Sequence, residues 1–162
     1  MTTFYWDASA LAKRYIPESS SDVVDFLFDG FPAADMVASV LTYAETRSVF
    51  KRALNRPSIT KMAYEKAIDT LAEDWFLTPR FTLLSMDDSA ILAGMTFIDM
   101  ENVNASDGAI LSTYVDHIAA QHVSPAALIA CDRNLLRAAR NTSLTVIDPL
   151  DITVAQLAQM LV

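Results

Sequence analysis

The chain has 162 residues, 52% of them hydrophobic and only three of them glycine, which fits one compact domain with a sizeable core and excludes a disordered or collagen-like chain. Its formal net charge of −8 argues against broad nonspecific nucleic-acid binding, which needs a basic surface, and suits a basic protein partner. No apolar stretch approaches the length of a bilayer span, so no membrane attachment is expected.

The first predicted strand, Phe4–Trp6, meets Asp7 at once and has no basic run before it, so the start does not read as a signal peptide. A helix follows through about Tyr15 and breaks at Pro17. Glu18-Ser19-Ser20-Ser21-Asp22 then opens a second helix through Phe28. Met36–Ser39 reads as a second strand and Thr42–Leu54 as a helix that stops near Arg56-Pro57. Ser58–Phe76 reads as a long amphipathic helix with Tyr64, Ile68, Leu71 and Trp75 on one stripe. Next come a strand at Thr82–Ser85 and helices at Asp88–Ile98 and Asp107–Ala120. A strand at Ala127–Cys131, a helix at Arg133–Arg140, a last strand at Leu144–Ile147 and a closing helix at Asp151–Leu161 complete the pattern. This alternation favours a parallel sheet with crossover helices. No repeat, low-complexity tract or long linker divides residues 1–162, so a single domain is expected. The one cysteine, Cys131, excludes an internal disulfide framework and suits a reducing cytosol. Its strand context reads as a small buried hydrophobe and not as a catalytic thiol.

Four carboxylates, Asp7, Glu45, Asp107 and Asp132, each lie at or near a predicted helix start. Asp7 and Asp132 directly follow strands, positions that converge on the crevice at the carboxyl ends of an open α/β sheet. Alone, each acid has an ordinary explanation. Asp is a favoured N-cap, and acids in a first turn complement the helix dipole. Thr42-Tyr43-Ala44-Glu45 fits a capping box, and Asp107 stands three residues after Asn104. Their recurrence outweighs these readings, because four converging acids cannot all stay ionised without a cation between them. Hard divalent cations take oxygen ligands and support phosphodiester cleavage. With only His117 and His122 in the chain, a histidine-rich zinc site is not expected.

Helical geometry separates Asp107 from a decoy. At about 100° per residue it falls roughly 40° from Leu111, inside the Leu111, Tyr114, Val115 and Ile118 stripe, whereas Asp116 falls roughly 140° away toward solvent. For Glu45 the wheel decides nothing: Leu41 and Val49 flank it, but a wider apolar stripe lies opposite.

These motifs, in this order and over nearly the whole chain, resemble those of the PIN-domain ribonucleases, and within them the VapC-like toxins of toxin–antitoxin pairs. The matching segments are Tyr5–Tyr15, Thr42–Glu45, Ala105–Leu111 and Cys131–Leu136. The resemblance implies an α/β, three-layer sandwich with a central, mostly parallel sheet of about five strands flanked by helices. It implies Asp7, Glu45 and Asp107 as metal-binding acids, Asp132 as a fourth and sometimes indirect ligand, and Ser9 as a hydrogen-bonding support. It also implies Mg²⁺ or Mn²⁺, an RNA substrate, a basic antitoxin partner, a homodimer and a cytoplasmic protein. Asn134 stands where some relatives carry another acid and is not counted as a ligand.

RNA needs positive charge, and Arg133, Arg137 and Arg140 recur on one helical face directly after Asp132, so this row is the expected phosphate contact. Lys13, Arg14, Lys51 and Arg52 end helices and read as ordinary partners of the helix dipole. A haloacid-dehalogenase-like phosphatase would need a second Asp where Ser9 stands. A receiver-like domain would need paired acids after the first strand and a Lys after the last. The remaining alternative is a PIN-like binding or RNA-processing protein that is not a toxin, including a non-catalytic interaction module.

Overall fold

The computed structural model describes residues 2–161 and contains five strands: β1 (Thr3–Trp6), β2 (Met36–Ser39), β3 (Thr82–Leu84), β4 (Ala126–Ile129) and β5 (Thr145–Ile147). They form one sheet in the order β3-β2-β1-β4-β5, every pair parallel. The α-helices are α1 (Ala8–Tyr15), α2 (Ser21–Gly30), α3 (Val40–Asn55), α4 (Lys61–Ala72), α5 (Asp88–Glu101), α6 (Ala105–Gln121), α7 (Arg133–Arg140) and α8 (Val154–Met160). The strand order runs outward from β1 in one direction and from β4 in the other. Between β1 and β4, therefore, the chain changes sides, and in open α/β sheets a ligand crevice forms at such a switch point.

The central strands are buried on both faces, as parallel strands under crossover helices must be. Phe4, Trp6, Met36 and Ile129 pack into one core with Val24 and Leu27 of α2, Phe50 of α3, Leu71 of α4 and Leu157 of α8. Tyr5, Val37 and Leu128 face the other core, with Ile110, Leu111 and Tyr114 of α6 and Leu135 and Leu136 of α7. Period-two alternation along Phe4-Tyr5-Trp6 thus supplies both layers.

The helices α5 and α6 meet at two glycines. A Cβ on Gly94 would lie 2.7 Å from the Ala109 nitrogen, and one on Gly108 would lie 2.7 Å from the Gly94 carbonyl oxygen. Two of the chain's three glycines therefore allow backbone-to-backbone contact where the helix bearing Asp107 begins.

Several element boundaries differ from the sequence expectation. The helix α3 starts at Val40 because the Ser39 hydroxyl accepts a hydrogen bond from Thr42 N, so Thr42–Glu45 is not its capping box and Glu45 lies in the second turn. The expected long helix over 58–76 begins later, capped by Thr60, and after Ala72 widens into a π-helical turn, Glu73–Leu77. That turn buries Trp75 between Tyr43 and Phe81, with ring centroids 5.1 Å from each. The last helix starts at Val154, where Thr153 and Gln156 form a capping box. Among the described residues no helix is long and apolar enough to cross a membrane.

Candidate metal centre

The carboxyl end of β1 leads directly into α1 through Asp7, whose carboxylate caps that helix. Its Oδ2 accepts from Ser9 N at 2.8 Å and from the Ser9 hydroxyl. The same hydroxyl accepts from Cys131 N at 2.8 Å, so Ser9 ties the end of β1 to the segment that follows β4. One residue on, Asp132 caps α7 through Oδ1, which accepts from Asn134 N and Leu135 N. Asp107 enters from the first turn of α6. Its Oδ2 accepts from Asn104 Nδ2 at 2.8 Å, while its backbone N–H donates to Asn104 Oδ1. Glu45 reaches in from α3 with no hydrogen bond to its carboxylate among the described residues.

These residues surround a cavity of about 370 Å³, which is also lined by Ser48, Arg52 and Asn104. Asp7, Glu45 and Asp107 each offer a carboxylate oxygen, and the three oxygens lie within 4.8 Å of one another. Asp132 lines the same cavity outside that tight group. Capping and ligation are therefore compatible here. Each Asp satisfies helix N–H groups or a neighbouring amide with one oxygen and keeps the other free of hydrogen bonds among the described residues.

No lysine, arginine or histidine forms an ion pair with any of the four acids among the described residues. The electrostatic consequence is visible in the two most buried acids. Burial pushes the Asp7 carboxyl above the ordinary range, against the lowering effect of the Ser9 hydrogen bonds, and the charges of Glu45 and Asp132 add to the rise. Asp107 is pushed up to about 7, first by burial and then by the charges of Asp7, Asp132 and Glu45. A compact, all-oxygen donor set with surplus negative charge and no internal counter-ion fits a hard divalent cation such as Mg²⁺ or Mn²⁺.

The remaining candidate residues lie elsewhere. Arg133, Arg137 and Arg140 are exposed on α7, and none of them lines this cavity. Arg137 is engaged with Glu101, bonding its carbonyl oxygen and lying 3.9 Å from its carboxylate. The basic residue that does line the cavity is Arg52. Its position seven residues after Glu45 was a readable signal, since seven residues make about two helical turns and return to the same face. Asp116 is exposed, as the helical wheel predicts, and His117 pairs through Nδ1 with the Tyr5 hydroxyl at 2.8 Å, away from the acids. Cys131 is half-buried, and burial pushes its thiol up to about 12, which leaves it inert as a nucleophile at neutral pH.

Beneath the acids lies a buried polar node. Tyr114 on α6 donates to the Trp6 carbonyl at 2.6 Å, accepts from Ser39 N at 3.1 Å and lies 3.2 Å from the Thr42 hydroxyl. It joins the ends of β1 and β2 and the start of α3 to α6, the elements that carry Asp7, Glu45 and Asp107.

No family model matches the chain, and no curated protein matches it. Solved structures do share its architecture. A chain of FitAcB from Neisseria gonorrhoeae is 17% identical with a TM-score of 0.60, over 93% of this chain and 100% of the other. A toxin–antitoxin complex from Klebsiella pneumoniae contains a chain that is 13% identical, with a TM-score of 0.57 over 91% of this chain and 98% of that one. VapC20 of Mycobacterium tuberculosis, described as a toxin that cleaves the sarcin–ricin loop, is 12% identical with a TM-score of 0.59, over 84% of this chain and 95% of its own. At such identities the likeness shows the fold. The chain has an α/β, PIN-like fold, shared with VapC20 and with chains of toxin–antitoxin complexes.

Proposed function

We propose that the chain is a Mg²⁺- or Mn²⁺-dependent ribonuclease that hydrolyses phosphodiester bonds, and that it is the toxin of a toxin–antitoxin pair. The observation that carries this reading is the trio Asp7, Glu45 and Asp107, whose oxygens converge within 4.8 Å at the sheet's switch point without a protein cation to balance them. A divalent ion held by such acids supplies Lewis acidity toward a phosphodiester and makes water a competent nucleophile at neutral pH.

The protein's own part is positional. Asp7, Glu45 and Asp107 would hold the ion, and Asp132, after the end of β4, lines the same cavity. Ser9 fixes the Asp7 carboxylate and the turn before Asp132 through one hydroxyl, a support of the kind that orients metal ligands. Asn104 does the same for Asp107. Without an ion, Asp107 holds a proton to about pH 7, and binding an ion requires that it be released.

The PIN-like neighbours support the toxin reading: one is described as an RNA-loop-cleaving toxin and another as a toxin–antitoxin complex. A net charge of −8 complements a basic antitoxin. Ile91, Leu92 and Met95 form an exposed apolar face on α5, which supports pairing of two copies in a homodimer. Arg133 and Arg140 remain exposed on α7 for more distant phosphates.

The test is cleavage of RNA by the purified protein with Mn²⁺ or Mg²⁺, with chelator and Asp7→Asn as controls. The reading expects cleavage that is lost with chelator and falls about 100-fold or more in the variant. Equal cleavage by wild type and variant, or none by either, contradicts it.

A further inference from the structure

Along α3 the acid-lined cavity has a second cavity of about 320 Å³ as its neighbour, and the two share Val49 and Arg52. The second is lined by Ile16, Pro17, Ile59 and Arg56 as well, and by Glu18, whose charge is paired with Lys13. Helical geometry places Glu45, Arg52 and Arg56 on one stripe. Arg52 lies about 20° from Glu45 around the axis and about 10 Å along it; Arg56 lies about 20° to the other side and about 6 Å further on. One helix face therefore carries, in order, a carboxylate of the metal centre, an arginine at its rim and a second arginine beyond.

Lys13, Arg14, Lys61 and Arg137 are in ion pairs, and Arg80 is bonded to the carbonyl oxygens of Phe28 and Phe31. Arg52 and Arg56 are exposed, and neither guanidinium has a hydrogen-bond or ion-pair partner among the described residues. Lys51, Lys66, Arg133 and Arg140 are likewise without a hydrogen-bond or ion-pair partner among the described residues, but unlike Arg52 and Arg56 they line neither of these two cavities. Two like charges four residues apart repel one another on a helix, and in a chain of net charge −8 acids are plentiful, yet none is paired with them. The groove also has an apolar floor, Val49, Ile16 and Ile59, beside its cationic rim. A cationic rim over an apolar surface is how proteins follow single-stranded nucleic acid, the charge tracking phosphates and the surface taking sugar or base.

We propose that Arg52 and Arg56 bind the phosphates that flank the scissile one, leading single-stranded RNA along α3 away from the acidic centre. The inference rests on the ribonuclease reading and adds to it the direction of the substrate and the residues that hold it. Single-stranded RNA suits this groove better than an acidic peptide does, because the groove ends at four carboxylates that repel peptide acids, whereas their bound cation attracts a phosphodiester.

The experiment measures anisotropy of a short labelled single-stranded RNA against KCl concentration. It uses an Asp7→Asn background so that the RNA stays intact, with and without Arg52→Gln/Arg56→Gln. Wild-type cleavage in Mn²⁺ is measured in parallel. The expected result is a Kd raised about tenfold or more, and a slope of log K against log salt reduced by about 1.4, the value for two lost contacts to a single strand. In the cleaving background the loss falls mainly on KM, and Arg52→Lys/Arg56→Lys recovers most of it. Unchanged affinity and slope, with a wild type that cleaves RNA, overturn the proposal and leave the ribonuclease reading standing. A wild type that neither binds nor cleaves RNA overturns both. Unchanged RNA binding together with lost binding of poly-glutamate assigns the groove to an acidic protein partner and likewise overturns the proposal.

Discussion

The hydroxyl node around Tyr114 and the carboxylates above it come from the same elements, β1, β2, α3 and α6, yet their polar groups are treated in opposite ways. In the node, the Tyr114 hydroxyl, Ser39 N–H and the Trp6 carbonyl satisfy one another at 2.6–3.1 Å in full burial. In the acidic cavity, acceptors outnumber donors, no cation of the protein is paired with the acids among the described residues, and Asp107 is pushed up to about 7. A satisfied buried network specifies position, whereas an unsatisfied one signals something absent from the chain itself. The contrast teaches that the node holds the frame, whereas the acids are grouped so that they could hold a metal ion.

The largest effect that separates the two regions is electrostatic. The Asp107 carboxyl titrates near 7 in the folded chain against 3.8 ordinarily, so the folded state keeps a proton that the unfolded state has lost. Its contribution to stability is complete below about pH 4 and is lost as the pH rises through 7, at a cost on the order of 2 kcal/mol once solvent screening is allowed for. Asp107→Asn removes that cost. Without metal the variant should melt about 5 °C higher than wild type at pH 8, and the gap should close toward pH 4. Equal melting temperatures at pH 8 would show that the site is not strained by its own charge.

Tyr114→Phe should do the reverse. It removes the partner of the buried Ser39 N–H and leaves the Trp6 carbonyl only the longer bond from the Thr42 hydroxyl, costs about 1–3 kcal/mol of stability at any pH, and leaves the acids chemically intact. Thermal unfolding at pH 5 and pH 8 checks this, and a loss confined to pH 8 would place the node in the same electrostatic system as the acids. Ser9→Ala touches the boundary between the regions, since one hydroxyl serves both Asp7 and Cys131 N. Metal affinity should fall about 10-fold with little change in melting temperature, as calorimetric titration would show.

The strands and the acids that follow them were legible in the sequence because their signals are local. Phe4-Tyr5-Trp6 is an apolar run ended by an Asp, and Asp107 sits within the buried stripe of its helix. Glu45 was not legible from periodicity, since α3 is flanked by apolar residues on both sides of it and begins two residues before the expected Thr42. Its place in the site comes from the pairing of β1 with β2 and the packing of α1 on α3, which are long-range facts. The same applies to Arg52. At the end of a helix it reads as a dipole partner, and only the tertiary path of α3 past Asp7 brings it to the cavity. The arginine row of α7 shows the converse: a regular helical spacing that adjoins Asp132 in sequence, while none of its three arginines lines the cavity.

The most direct test of the cation site is a titration of the metal-free protein with Mn²⁺, following both calorimetric heat and melting temperature, in wild type and in Asp7→Asn/Asp107→Asn. Wild type should bind with an affinity that strengthens as the pH rises through 7, and at 100 times Kd should gain about 2.7 kcal/mol of stability, a rise of several degrees. The variant should show neither heat nor shift. Binding of equal strength in both proteins, or none in wild type, would contradict a cation held by these acids.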